Sequence, residues 1–293
     1  MLNNKLQSLL SVHIAVALFG VAGIFAKLLA IEPALIVFGR TFFACLALLV
    51  ALPLMKVDVR LKEGKDALGF LLMGTILALH WVAFFHSIQV STVAIGLLTF
   101  STFPIFVTFL EPFFFNERLQ MIDIFVCLVV FLGLILVIPD LNFENNLTLG
   151  AFWGVFSGLT FAVLSVLNRT FVSNYPAMTI AFYQNMIASL VLLPVVGGTF
   201  LTTTVHEMKL LILLGVVFTA LAHSFFIRGL LYVKAQLASV IASLEPVYGI
   251  VLAMVLLKEI PTVREGIGGC IIVGAIVLAT RFGGKKGGQE IGA

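Results

Sequence analysis

The sequence predicts an all-α membrane protein of ten transmembrane helices, arranged as two inverted five-helix repeats. Three observations predict it: a composition that cannot clothe a water-facing surface, ten apolar runs of spanning length, and a set of residues that returns after about 142 positions. Of the 293 residues, 61% are hydrophobic and 11% charged, and the mean hydropathy is +1.18. Soluble domains carry about 25% charged residues, so the solvent that fits this chain is a lipid bilayer.

Crossing about 30 Å of hydrocarbon takes roughly 20 apolar residues. Runs of that kind lie at 8–30, 34–55, 67–87, 92–115, 121–138, 149–171, 178–198, 208–228, 236–257 and 264–281. The connections are short and leave no room for an inserted soluble domain. A β-barrel would need strands alternating apolar and polar residues over about ten positions. Stretches such as Phe125–Val137 are too long for that and apolar on every side. The first run exceeds a signal h-region and leads straight into the second, so no cleavable leader is expected. Cys45, Cys127 and Cys270 are isolated within apolar runs, which offers neither a disulfide framework nor metal spacing and reads as small core residues. With a net charge of +3 and basic residues confined to span ends, no nucleic-acid partner, cofactor or metal is expected.

The repeat emerges when the chain is compared with itself at an offset of about 142. Phe103-Pro104 then falls on Glu245-Pro246, Glu117 on Glu259 and Lys27 on Arg169. Phe84-Phe85 meets Phe225-Phe226, and Gly74 meets Gly215, one position earlier. Repeats are therefore expected at 8–138 and 149–281. With five spans each, an odd number, the second must lie upside down relative to the first. Inverted repeats are typical of alternating-access transporters, whose sites lie near the midplane at the repeat interface. Of the 17 Lys and Arg, only Lys27, Arg40, Lys209, Lys258 and Arg264 fall on the side away from the termini. The positive-inside rule then makes both termini cytoplasmic, along with a tail at 282–293.

Ten spans, a five-plus-five repeat, and a proline about 13 residues before a glutamate near a span end resemble the drug/metabolite transporter superfamily, and within it the EamA-type family. The segments that carry the resemblance are Thr99–Leu119 (TFSTFPIFVTFLEPFFFNERL) and Ala242–Pro261 (ASLEPVYGIVLAMVLLKEIP), and it covers roughly residues 8–281. It implies a bundle around a central cavity, with the fifth and tenth spans at the periphery, and small metabolites as substrates. The family's Gly-Glu pair at the repeat ends is here Asn116-Glu117 and Lys258-Glu259, a departure confined to span-end turns.

Several residues could carry the mechanism. Pro104 and Pro246 lie inside the fourth and ninth spans, and each removes an N–H from the helical ladder. They are expected to act as paired kinks or hinges, freeing the carbonyls of Phe100 and Ala242. Pro112 frees Thr108 in the same way. Glu245 lies well inside an apolar span, where a charge costs several kcal/mol, so it should face protein or water. It could meet a substrate ammonium, take a coupling proton or bridge to Arg or His. Glu111, nearer its span end, is a weaker candidate. His80 and Trp81 are mid-span, and His223 is near the matching place in the second half. The resemblance to amino-acid exporters puts a third-span histidine in the cavity, and His80 fits that place. His13 and His86 can reach an interface and rank lower. In Tyr183-Gln184-Asn185 at least one side chain should face the cavity, Tyr183 and Asn185 being the choices. Tyr248 shares a helix face with Glu245. Lys27 and Arg169 are expected to snorkel to headgroups. Arg40 could meet Glu32 or Glu245, but the sequence does not place it. Gly20, Gly23, Gly154 and Gly158 read as packing residues. The 28 phenylalanines read as lipid-facing and core residues rather than as a substrate signal.

The expected function is secondary-active export of a small metabolite, such as an amino acid, across a bacterial inner membrane, by a monomer or homodimer. Import or antiport of a phosphorylated or nucleotide-linked metabolite would need several midplane cations, for which only Arg40 and Arg228 are available. Drug efflux is a further alternative. An intramembrane enzyme is remote: Asp58, Asp66, Asp123 and Asp140 all lie outside mid-span positions, and there is no HExxH or Walker motif.

Overall fold

The computed structural model describes residues 2–115, 121–138 and 142–283. The predicted Glu117, Arg118 and Asp140, and the tail beyond residue 283, lie outside them. The chain runs α1 (Leu2–Ala22), α2 (Phe25–Leu28), α3 (Pro33–Leu54), α4 (Asp66–Val90), α5 (Val93–Phe100), α6 (Phe103–Phe115) and α7 (Met121–Val137). It continues with α8 (Asn146–Phe171), α9 (Ala177–Val196), α10 (Val205–Gly215), α11 (Ala222–Gly229), α12 (Ala235–Ala242), α13 (Glu245–Leu256) and α14 (Val263–Gly283). A 3₁₀ stretch (Gly197–Thr202) extends α9, and a π-helical turn (Val216–Leu221) joins α10 to α11. Among the described residues eight helical segments are long and apolar enough to cross a membrane: 4–28, 33–54, 66–90, 93–115, 146–171, 177–202, 205–229 and 235–256. Ile124–Val137 is a shorter apolar helix.

Local chemistry sets the boundaries. Pro33 opens α3, and its missing N–H is one that a first turn leaves unpaired anyway. The tight junction after α4 is made by Thr92, whose hydroxyl accepts from Ile95 N–H at 3.0 Å and caps α5. Lys56 and Lys258 end α3 and α13 with φ of 54° and 58°, a left-handed conformation that favours glycine. The lysine that replaces glycine in the second repeat-end pair therefore stands where glycine's freedom is used.

The prolines correct the expectation of kinks. Pro104 and Pro246 sit in the first turns of new helices, α6 and α13, after breaks at Ser101-Thr102 and Ser243-Leu244. A proline in a first turn forfeits no ladder bond, so the break is the lower-energy answer to the same residue. Hydroxyls satisfy carbonyls around each break: Ser101 donates to Leu97 O (2.9 Å), Thr102 to Thr99 O (2.8 Å) and Ser243 to Ser239 O (3.1 Å). Pro112, by contrast, does lie within α6.

The packing brings distant segments together. Helix α4 lies along α8 and α9, α1 along α11 and α13, α3 along α9 and α10, and α7 along α14. The glycines read as packing residues behave so: a Cβ on Gly158 would lie 2.9 Å from the Phe100 carbonyl, and one on Gly20 2.7 Å from Tyr248 Cβ. The cysteines are less buried than expected. Cys45 and Cys127 are half-buried and Cys270 is exposed, a placement a weakly polar thiol tolerates on an apolar face.

Candidate functional site

Midway along the spans lies a cavity lined by Arg40, His80, Trp81, His223 and Glu245, with an apolar wall that includes Phe19, Leu77, Phe84, Phe100 and Phe161. It holds about 430 Å³ of space between atoms, part of it open to the outside. Arg40 enters from α3, His80 and Trp81 from α4, His223 from α11, and Glu245 from the first turn of α13.

Each polar member has a defined setting. Glu245 is 4% exposed, and among the described residues it makes no hydrogen bond and no ion pair within 4.0 Å. Arg40, 2% exposed, donates from Nε to Thr219 Oγ1 (2.9 Å) and from Nη2 to the Phe218 carbonyl (3.4 Å). Its guanidinium lies over Trp81, with Cζ 3.7 Å from the ring centroid. Stacking of this kind suits the weakly hydrated, planar guanidinium. His80 Nδ1 lies 3.0 Å from the Ser157 carbonyl, which can only accept. The Ser157 hydroxyl lies 2.9 Å from the same nitrogen, so Nδ1 is held by Ser157 whichever ring nitrogen carries the proton. His223 packs edge-on against Trp81 at 5.6 Å, and its Nδ1 makes no hydrogen bond among the described residues. The lining therefore brings an arginine, a glutamate, two imidazoles and an aromatic wall together.

Five sequence-singled residues thus converge or flank the site: His80, Trp81, His223 and Glu245 line it, and Pro246 starts the helix behind Glu245. Pro104 is buried at the equivalent break in α6. Three others lie elsewhere. Tyr183 donates to the Val59 carbonyl (2.8 Å) and packs on Phe70 at 4.8 Å, so it braces the α3–α4 connection. Asn185 is fully buried but turns back on its own helix, donating to Ala181 O at 2.7 Å. Tyr248 is 41% exposed on the outer side of α13, against Gly20. A three-residue step leaves two side chains about 60° apart, enough here to send one inward and the other out.

Lys27 and Arg169 both have protein partners. Lys27 Nζ donates to Ser91 O at 2.8 Å, beyond the C-terminus of α4. Arg169 pairs with Glu111 at 2.5 Å, and the Glu111 carboxylate also accepts the Ala235 and Gln236 N–H groups at the start of α12. Glu111 is thus a structural joint away from the cavity. Glu259 caps α5 in the same manner through Val93 N–H. Sequence reasoning missed the placement of Arg40 and the part played by Phe84, Phe100 and Phe161. The signal for Arg40 was present: it is the only charged residue in the 22-residue α3.

Comparison with known proteins is consistent along the chain. The model of the EamA-like transporter family matches residues 6–138 and 148–281. An uncharacterized transporter of Bacillus subtilis is 26% identical over 280 residues, 94% of this chain and 89% of its own. The pseudopaline exporter of Pseudomonas aeruginosa is 28% identical over 254 residues, 86% of this chain and 87% of its own. The S-adenosylmethionine uptake transporter of Rickettsia conorii is 24% identical over 251 residues, 86% and 83%. A protein of known crystal structure matches with a TM-score of 0.70 over 94% of this chain and 96% of its own at 19% identity, which shows a shared fold.

Proposed function

The chain belongs to the EamA-like transporter family, and from that premise we propose that it exports small zwitterionic metabolites, amino acids or related compounds, through the Arg40–Glu245 cavity by alternating access. It is a multi-pass membrane transporter. The observation that carries the substrate class is that a buried cation and a buried carboxylate share one cavity without forming an ion pair within 4.0 Å. Two opposite charges held apart in an apolar setting are costly unless something joins them. A zwitterion between them does so, its carboxylate toward Arg40 and its ammonium toward Glu245, with its side chain against the phenylalanine wall.

In this reading residues 8–138 and 149–281 form two inverted repeats that rock against each other, and α7 and α14 complete the ten spans. The matched breaks before Pro104 and Pro246 and the pairing of α7 with α14 support it. Both termini then face the cytoplasm of a bacterial cell. Glu245 takes a proton when substrate leaves, which would couple export to proton entry. A phosphorylated substrate is disfavoured because Arg40 is the only Lys or Arg in the cavity lining. Arg228 instead lines a separate depression with Asn4, Gln7 and Tyr232. Uptake rather than export is the second reading, favoured by the relative named for S-adenosylmethionine uptake, a compound with an amino-acid end.

Proteoliposomes holding the purified protein and the twenty labelled amino acids, with and without a pH gradient, test this. Saturable flux of at least one amino acid is expected, accelerated by the gradient in wild type and not in Glu245→Gln. Flux through Glu245→Gln at the wild-type rate and pH dependence would remove Glu245 from the mechanism. Flux against an opposed gradient fixes the direction.

A further inference from the structure

Arg40 is held in an unusual way, and the hold faces one direction. A guanidinium has five N–H donors arranged as two edges. Here the Nε–H meets Thr219, one Nη2–H meets the Phe218 carbonyl, and one flat face lies on Trp81. Nη1 makes no hydrogen bond among the described residues, and Arg40 lines the cavity. One edge is anchored and the other is offered.

The anchor depends on the π-helical turn. In the α-helical stretches of this chain, threonine hydroxyls fold back four residues: Thr41 onto Val37, Thr99 onto Ile95 and Thr160 onto Phe156. Thr219 lies in the wider turn and reaches back five, donating to Leu214 O at 2.8 Å. A hydroxyl has one proton, so with it given to Leu214 the oxygen can only accept, and it accepts from Arg40 Nε. π turns of this sort recur at functional sites. Gly215, just before the turn, lets α3 come close: a Cβ there would lie 2.8 Å from the Arg40 carbonyl and 2.6 Å from Phe43 Cβ. The glycine that matches Gly215 at the repeat offset, Gly74, supplies a control. There Gly74 of α4 lies against the Gln184 carbonyl and Ile187 of α9. Helix α4 runs through without a π turn, and Gln184 bonds to Asn168 and Met73, away from any cavity charge.

We infer that Arg40 is the residue that reads the substrate's carboxylate, and that Thr219, through the π turn, is the positioning residue that keeps its free edge toward the cavity. This rests on the zwitterion-transport reading above. One guanidinium edge matches one planar carboxylate in a bidentate pair. With Glu245 opposite, a second anionic group on the substrate is repelled, so the site selects monocarboxylate zwitterions over dicarboxylates and phosphates.

The test uses the full chain in proteoliposomes. The twenty labelled L-amino acids serve as probes, and the α-amide of the best-transported one serves as competitor. Thr219→Val keeps the shape but loses the hydroxyl. It should raise KM for the amino acid about tenfold, the effect of a lost hydrogen bond to a charged group, with Vmax within twofold and the inhibition constant of the amide unchanged. Thr219→Ser should restore the wild-type KM. Arg40→Lys, which keeps the charge but not the bidentate edge, should erase the preference for acid over amide. If Thr219→Val leaves KM unchanged, or weakens acid and amide alike, the positioning role is overturned while the transport reading stands. If the wild type moves none of the probes, the transport reading fails and takes this inference with it.

Discussion

The two breaks, one in each half, have the same construction and opposite chemistry. Helix α5 ends, two residues turn, and α6 begins with Phe103-Pro104; helix α12 ends, two residues turn, and α13 begins with Glu245-Pro246. Phe103 is fully buried, 5.0 Å from Phe100 and 5.0 Å from Phe161. Glu245 is as deeply placed but borders a cavity. One helix over, Gly215 lies against the Arg40 carbonyl and Gly74, 141 positions earlier, lies against the Gln184 carbonyl. Residues 2–115 thus supply Arg40 and residues 142–283 supply Glu245 to the cavity lining. Two breaks of the same construction thus differ in polarity, and in the proposed mechanism it is the polar one that serves the substrate.

Exchanging the break residues probes this contrast most severely. Phe103→Glu buries a carboxylate among aromatic rings, with no cation at the cavity's disposal beyond Arg40. The cost is on the order of several kcal/mol, read as loss of monodisperse protein on size-exclusion chromatography. Glu245→Phe should fold and fail to transport. The two helix-capping acids give a second, smaller contrast. Glu111→Ala breaks the Glu111–Arg169 ion pair and strips two N–H groups of α12, for about 2–4 kcal/mol. Glu259→Ala removes a cap without a cation and should cost about 1 kcal/mol. Thermal unfolding in detergent reads both, and equal losses would contradict the distinction. Smallest is the span-end turn. Lys258→Gly relieves the left-handed backbone at φ 58° and should stabilise by about 1 kcal/mol or less.

Much of the frame was legible because it depends on local sequence. Apolar runs, Pro33, the Thr92 cap and the paired prolines each act within a few residues. Glu245, His80, Trp81 and His223 were legible because a polar side chain deep in an apolar run is costly unless a partner or a cavity receives it. What was missed depends on remote partners. Arg40 is fixed by Thr219, 179 residues away, and Tyr183 by Val59, 124 residues away. The π turn leaves no mark in an apolar run, since it changes which carbonyl is reached rather than which residues are apolar. The positions of Pro104 and Pro246 were legible, but whether the chain bends through such a residue or starts a new helix at it depends on the residues just before it, here Ser101-Thr102 and Ser243-Leu244.

The claim that a zwitterion bridges Arg40 and Glu245 is most directly tested at Trp81, whose ring lies under the Arg40 guanidinium. The chain has two tryptophans, and in a Trp153→Phe background Trp81 alone reports, by its fluorescence, on what enters the cavity. The expected result is a saturable change with at least one amino acid. Glu245→Gln should weaken that binding at least about tenfold and leave the response to the matching deaminated acid unchanged. A response that is identical in Glu245→Gln, or absent for every amino acid, would contradict a zwitterion site between these two charges.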